Sequence, residues 1–138
     1  MPRTNTRPQA AALPIHNNKV CLITTSSGQG VIIPKGNVPD GMHPADLAER
    51  EAWEEAGLVG RIDREPFGDY TFQKSGEELT VQVYLLEVTE WSFSWPEQQS
   101  RQRIWCSVEK AVDRVSHVGL RELMVQYIEA RTAINGRG

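Results

Sequence analysis

Residues 36–58 read GNVPDGMHPADLAEREAWEEAGL, and this stretch decides the fold. A glycine-rich turn leads into a helical pattern that should begin at Pro44 and end at Ala56, with Gly57 as the C-terminal stop. Every third or fourth residue of that helix is small, which gives one narrow alanine face: Ala45, Ala48, Ala52 and Ala56. Such a face predicts that the helix packs closely against a sheet.

Three carboxylates lie beside that alanine face, at Glu51, Glu54 and Glu55. Residues three and four apart are neighbours on a helix, and like charges there cost about 0.2–0.5 kcal/mol per pair. Projection of the helix places Glu55 nearest the packed face, Glu51 a little further out and Glu54 furthest. A cation bound over the cluster would remove the repulsion, and hard ions such as Mg²⁺ combine carboxylates with substrate phosphates.

The whole chain has 138 residues and a formal net charge of −3, which fits one domain over residues 1–138 with a single core. Residues 1–8 and 132–138 are polar ends that we expect to be flexible. No apolar run approaches the ~20 residues of a membrane span. The N-terminus lacks a signal-peptide pattern, so we expect a cytoplasmic protein. The mildly acidic balance argues against a broad nucleic-acid surface.

Strand and helix patterns surround the central helix on both sides in sequence. Alternating or short apolar runs predict strands at residues 10–15, 19–25, 31–33, 60–69, 69–74, 80–90 and 103–107. Residues 35–42 are expected to form a loop. Helical spacing predicts two further helices, over residues 108–115 and 118–130. We therefore expect an α/β fold with a mixed β-sheet between helices.

Residues 36–58 also resemble the Nudix box, the pattern G-x5-E-x7-R-E-U-x-E-E-x-G-U in which U is a bulky apolar residue. The matching positions are, in order, Gly36, Arg50, Glu51, Glu54, Glu55, Gly57 and Leu58. Ala52 is a small substitute at the first U. Met42 stands where the family has a glutamate, and this is the one clear departure.

The resemblance implies a Nudix-type α/β/α sandwich, a requirement for Mg²⁺ or Mn²⁺, and a pyrophosphohydrolase that acts on a small phosphorylated substrate. Carried over residue by residue, Glu54 and Glu55 would be metal ligands, and Glu51 would be a ligand or the base that acts on water. The carbonyl oxygen of Gly36 would be a further ligand. Arg50 would hold a glutamate in its rotamer.

Three basic residues outside the helix are candidates for binding substrate phosphates: Lys35, Arg101 and Arg103. An arginine can hold a phosphate through two parallel hydrogen bonds. The alternative for each is an ordinary solvated or structural side chain, and the sequence leaves this open. Glu97, in the loop before Arg101, is an alternative candidate for the base, since the family also uses a loop glutamate.

The substrate class rests on softer matches. Pro34-Lys35-Gly36, the run 70–90, and Arg101-x-Arg103-x-Trp105 are similar to diphosphoinositol polyphosphate and diadenosine polyphosphate hydrolases. A (d)NTP or nucleotide-sugar pyrophosphatase is an alternative. So are a non-catalytic nucleotide sensor and a structural domain with an acidic helix face. The oligomeric state, including a homodimer, is left open.

Met42 bears directly on the choice between enzyme and sensor. A thioether is too soft to bind Mg²⁺ usefully, so the position adds no ligand. Three carboxylates remain, which is enough for one or two cations. We therefore expect activity to be kept, with fewer metals or weaker metal affinity.

Overall fold

The computed structural model describes residues 8–135, through which a sheet of eight strands runs. The strands are β1 (Gln9–His16), β2 (Lys19–Thr24), β3 (Val31–Ile32), β4 (Lys35–Asn37), β5 (Leu58–Ile62), β6 (Gly68–Lys74), β7 (Glu77–Trp91) and β8 (Arg103–Ser107). The helices are α1 (Pro44–Ala56), α2 (Val108–Arg114) and α3 (Val118–Asn135). Within the described residues, no helix is both long and apolar enough to cross a membrane.

The sheet is mixed, as predicted. Strand β1 runs parallel to β7 and antiparallel to β2 and β4. Strand β2 also pairs with β3 and β8, and β7 pairs with β5 and β6, all in antiparallel fashion. The pairing of β1 with β4 brings Ala10 opposite Gly36, so the start of the 36–58 stretch is part of the sheet.

Successive residues of β1 face two separate cores, because side chains alternate across a strand. Ala10 and Ala12 belong to a core that also contains the alanine face of α1. Ala11 and Leu13 belong to a second core built with α2 and α3. The helices therefore cover both faces of the sheet, and the predicted sandwich is confirmed. Small residues on both sides let α1 approach β1 closely.

The predicted bounds of α1 are confirmed, and its ends have clear causes. Gly57 has a φ of 68°, in the left-handed region that favours glycine, and its N–H donates to carbonyls of the last turn. At the other end His43 caps the helix, since its Nδ1 accepts a hydrogen bond of 3.0 Å from the Ala45 N–H. Histidine is not among the residues that are preferred at this position, so the sequence does not mark His43 as a cap.

Other boundaries differ from the prediction. The strand predicted over residues 60–69 is wrong, because β5 covers Leu58–Ile62 and the next strand begins only at Gly68. Residues 35–37 form β4 rather than a loop, because they pair with β1, which is distant in sequence. Helix α3 continues past residue 130, and Arg131 ties it to α2 through a 2.6 Å ion pair with Glu109. Residues 132–135, expected to be a flexible end, are thus helical. Pro8, also expected to be flexible, is held by a hydrogen bond from the Val38 N–H to its carbonyl oxygen. The other residues of the predicted flexible ends, 1–7 and 136–138, lie outside the described residues.

Candidate active site

The three carboxylates of α1 line the border between the helix and the sheet. Glu55 is 5% exposed and Glu51 is 9% exposed, whereas the side chain of Glu54 is 40% exposed. This is the order that the helical projection predicted. Buried carboxylates need compensating contacts, so the groups around Glu51 and Glu55 define what the site can do.

The backbone of β4 lies directly against Glu51 and Glu55. The Lys35 N–H donates a 3.0 Å hydrogen bond to Oε1 of Glu55. A Cβ placed on Gly36 would lie 2.8 Å from the carboxyl carbon of Glu51, so only glycine leaves room for that carboxylate. The structure therefore brings Gly36 together with two of its predicted co-ligands.

Arg101 enters the site from the loop that joins β7 to β8, here called the 92–102 loop. Its Nη2 donates to Oε2 of Glu55 at 3.1 Å, and its Nε donates to Oε1 of Glu97 at 2.8 Å. Its Nη1 donates to the carbonyl oxygen of Thr24, at the end of β2, at 3.1 Å. The side chain is only 13% exposed. The sequence left open whether Arg101 binds a phosphate or is structural, and the observed contacts join it to the acidic cluster.

Glu97 adds a fourth carboxylate to the cluster. Its N–H donates a 3.0 Å hydrogen bond to the carbonyl oxygen of Glu54, which fixes the 92–102 loop beside α1. Its own carboxylate reaches Arg101, as above, and its charge acts on both Glu51 and Glu55. The loop residue proposed from sequence as an alternative base is thus placed at the site.

Burial perturbs the acid–base behaviour of the two inner carboxyl groups. Burial raises the pKa of Glu55 to about 8; Arg101 and the Lys35 N–H oppose this rise, and the charges of Glu51 and Glu97 add to it. Burial also raises the pKa of Glu51, reinforced by the charge of Glu54, while a hydrogen bond with Glu55 opposes the rise. The pair can therefore hold a proton between its oxygens near neutral pH.

Arg50 fulfils its predicted position on the outer side of the cluster. Its Nε lies 3.8 Å from Oε2 of Glu51 and 3.9 Å from Oε1 of Glu54. These are ion-pair distances rather than hydrogen bonds. Arg50 can therefore orient both glutamates without taking their oxygens out of use.

The side chain of Lys35 is half-buried and lies on the side of the sheet that faces α2 and α3, since Lys35 pairs with Ala11 of that core. Its Nζ donates to Oε1 of Gln9 at 3.3 Å and sits 4.6 Å from the ring centre of Phe72. Burial lowers the pKa of this ammonium group, and the charges of Lys74 and Arg101 add to the effect, while Glu55 and Glu51 oppose it. The phosphate-binding role of Lys35 stays a prediction. Gln9 was missed, although it is the polar first residue of an otherwise apolar strand.

Arg103 has a structural environment at the end of α1, and its phosphate-binding role stays a prediction. Its Nη1 donates to the carbonyl oxygens of Ala56 and Ser92, each at 2.8 Å. Its guanidinium carbon lies 4.2 Å from the ring centre of Trp95, whose Nε1 donates to the Glu55 carbonyl oxygen. Arg103 thus satisfies the last turn of α1 and fastens the 92–102 loop to it.

The oxygen atoms of the site are of the kind that binds a hard divalent cation, but they do not point at one common position. Within residues 8–135, no three acidic, histidine or cysteine side chains are grouped as a ready cation site. Oε2 of Glu55 is directed at Arg101, and Glu54 is directed at Arg50. The available ligands are all oxygens, two of them on buried carboxylates beside the glycine backbone, which is what Mg²⁺ or Mn²⁺ requires.

Met42 packs against apolar residues of the α1 core and is partly buried. It supplies no oxygen to the cluster.

A cleft of about 410 Å³ adjoins Arg101. It is lined by Thr24, Gly28, Gln98, Gln99, Ser100, Arg101 and Gln102. A larger hollow of about 810 Å³, between the ends of β1 and β7, contains none of the site carboxylates.

Sequence comparisons show which known proteins the chain is similar to. A sequence model described as the NUDIX domain matches residues 5–127. The chain is 32% identical over 116 residues to "Nudix hydrolase 16, mitochondrial" of Arabidopsis thaliana, which covers 78% of this chain and 64% of that protein. It is 35% identical over 83 residues to "Diphosphoinositol polyphosphate phosphohydrolase 3-beta" of Bos taurus, which covers 59% of this chain and 49% of that protein.

A solved structure supports the same fold. The "NUDIX hydrolase from Nitrosomonas europaea" superposes with a TM-score of 0.75 at 15% sequence identity, covering 91% of this chain and 90% of that one. At this identity the likeness concerns the fold alone. The chain spans less than two thirds of the length of the first curated relatives, 64%, 59% and 60% for three plant Nudix hydrolases.

Proposed function

The chain belongs to the NUDIX domain family, and from this premise we propose that it is a metal-dependent pyrophosphohydrolase. The observation that carries the proposal is the placement of two buried carboxylates, Glu51 and Glu55, against the backbone of Lys35 and Gly36. Burying carboxylates is costly unless a cation or hydrogen bonds compensate. A structural acidic helix face would leave these side chains in solvent instead.

Glu51, Glu54 and Glu55, with the Gly36 carbonyl oxygen, would hold Mg²⁺ or Mn²⁺. When bound, such an ion neutralises phosphate charge and lowers the pKa of coordinated water. Arg50 would orient Glu51 and Glu54. Glu97 and Glu51 are the groups placed to accept a proton from water, Glu97 because its loop is fastened to α1 at Glu54. Most of the remaining rate enhancement in phosphoryl chemistry comes from positioning.

For the substrate we propose a dinucleoside polyphosphate or a diphosphoinositol polyphosphate. The named bovine relative supports the second class over part of the chain. We propose Lys35 as a cation that meets a substrate phosphate, because its backbone N–H lies against Glu55 and its Nζ, beside Gln9 and Phe72, keeps a charge near the end of β4. The cleft beside Arg101 gives a polyphosphate chain room to approach.

Phosphorus NMR of product formation tests the proposal. The chain is incubated with Mg²⁺, and separately with Mn²⁺, and with diadenosine polyphosphates, a diphosphoinositol phosphate, ADP-ribose, dNTPs and capped RNA. We expect cleavage of one of the first two classes, abolished by a chelator and by Glu55→Gln. The product signals identify the bond that breaks.

Cleavage of dNTPs or ADP-ribose alone would overturn the proposed substrate class and keep the proposed reaction. Silence across the panel with both metals would contradict the enzyme and favour a nucleotide sensor. Met42, in place of the family's glutamate, is the feature that gives the sensor any support.

A further inference from the structure

All three nitrogens of the Arg101 guanidinium group donate hydrogen bonds into the protein. The acceptors are Oε2 of Glu55, Oε1 of Glu97 and the carbonyl oxygen of Thr24. They come from three separate elements: α1, the 92–102 loop and β2. An arginine whose task was to bind substrate phosphate would keep its paired donors directed at the cleft. The contacts therefore point to a partner inside the acidic cluster.

Glu55 is the carboxyl group on which this arrangement acts: burial favours its protonated form, and Arg101 is the charge that favours its ionised form. One of its oxygens accepts from the Lys35 N–H and the other from Arg101. The two side chains are 7% and 13% exposed, so solvent screens their attraction only weakly. A divalent cation bound by Glu55 needs the same oxygens and would be repelled by a guanidinium group held beside them.

We propose that Arg101 is an internal counter-ion of Glu55 that a divalent cation must displace, so that Arg101 sets the affinity of the site for metal. The inference rests on the proposed function, since it takes Glu55 to be a metal ligand. Arg101 is then a positioning residue in place of the phosphate ligand predicted from sequence. Its charge stabilises the acidic cluster until metal takes over that role.

The surrounding backbone is built so that this exchange needs only a side-chain movement. The 92–102 loop is held to α1 by the Glu97 N–H and by Trp95, and to β2 by paired hydrogen bonds between Thr24 and Gln102. None of these contacts uses the guanidinium group. The cleft of about 410 Å³ beside Arg101 can receive the displaced side chain.

The test compares wild type with Arg101→Met, which keeps the apolar stem and removes the charge. Binding of Mg²⁺ and of Mn²⁺ to the substrate-free protein is measured by calorimetry. We expect the variant to bind the metal more tightly, by about tenfold or more, because the positive charge that repels a cation at the Glu55 oxygens is gone. Without metal the variant should melt at a lower temperature than wild type, and saturating metal should close that gap. Arg64→Met is the matched control. Arg64 forms an exposed ion pair with Asp46, which is on α1 like Glu55.

A second readout follows the side chain itself. In ¹⁵N spectra of arginine Nε–H groups, the signal missing from Arg101→Met assigns Arg101. Saturating Mg²⁺ should shift this signal in wild type and leave that of Arg64 in place. Unchanged or weaker metal binding in Arg101→Met, or an Arg101 signal indifferent to Mg²⁺, would overturn the inference while leaving the proposed function standing. Failure of both proteins to bind either metal would overturn the two together.

Discussion

Glu55 is the residue on which the chemistry most depends, because it joins α1, β4 and the 92–102 loop. Loss of a group that hydrogen-bonds a metal ligand lowers activity by about 10–100-fold. Glu55→Gln removes a proposed ligand itself, so turnover should fall by more than this. The fold should survive at a lower melting temperature, since the amide oxygen can still accept from the Lys35 N–H while the amide nitrogen loses the hydrogen bond from Arg101. Initial rates by phosphorus NMR and thermal unfolding by circular dichroism measure the two effects. Glu49→Gln, an exposed acid on the same helix, is the control. An active Glu55→Gln protein would remove Glu55 from the ligand set.

Gly36 is the residue whose lack of a side chain leaves space for Glu51. In Gly36→Ala the new methyl group would stand 2.8 Å from the Glu51 carboxyl carbon. That carbon is near the free end of a flexible side chain, so Glu51 should swing away and the fold should be little disturbed. We expect weaker Mg²⁺ binding and slower turnover with a nearly unchanged melting temperature. A large drop in melting temperature with metal binding intact would show that Gly36 serves the sheet and not the site.

At the scale of elements, helix α1 could be predicted because its determinants are local. Its alanine face, its glutamates and Gly57 are all read within one short stretch. Strand β4 could not, since residues 35–37 form a strand only by pairing with β1. The structure places Arg101 against Glu55 and Arg103 against the end of α1. Their partners lie on other elements, so the sequence could not tell a phosphate ligand from Arg101's tie to Glu55 or Arg103's tie to the end of α1.

The junction between α1 and the 92–102 loop carries a prediction about Arg103. Arg103→Ala would leave the carbonyl oxygens of Ala56 and Ser92 without their donor, and loss of such a partner costs about 1–3 kcal/mol per buried group. We expect a lower free energy of unfolding in urea and an unchanged KM for the cleaved substrate. Arg61→Ala, which breaks an exposed pair with Glu87, should cost little by comparison. A raised KM with full stability would restore Arg103 as a phosphate ligand.

At the scale of the whole molecule, the sandwich explains why the site is acidic and yet partly buried. Two cores hold the sheet between α1 on one face and α2 with α3 on the other. The alanine face draws α1 so close to β1 that Glu51 and Glu55, beside that face, are drawn in with it. Stability and metal binding are therefore linked, because folding buries the same carboxylates that the cation would use.

This linkage predicts that the free energy of unfolding of the metal-free protein falls as pH rises, while the stabilisation by bound metal increases. Burial raises the pKa of Glu55 from 4.5 to about 8, so the folded chain holds a proton that the unfolded chain releases in that interval. For this group the free energy of unfolding is greatest below pH 4.5 and falls as pH rises towards about 8. A bound cation needs the deprotonated carboxylate, so stabilisation by Mg²⁺ should grow over the same interval.

Melting temperatures are measured from about pH 5 to about pH 9, once in EDTA and once in saturating Mg²⁺. Each series gives the slope of melting temperature against pH. The difference between the two series should widen with pH in wild type. In Glu55→Gln, which cannot titrate at that position, the slope in EDTA should flatten because the proton uptake is gone. Equal slopes in wild type and Glu55→Gln would mean that another group governs the pH response, and that Glu55 is already ionised in the folded protein.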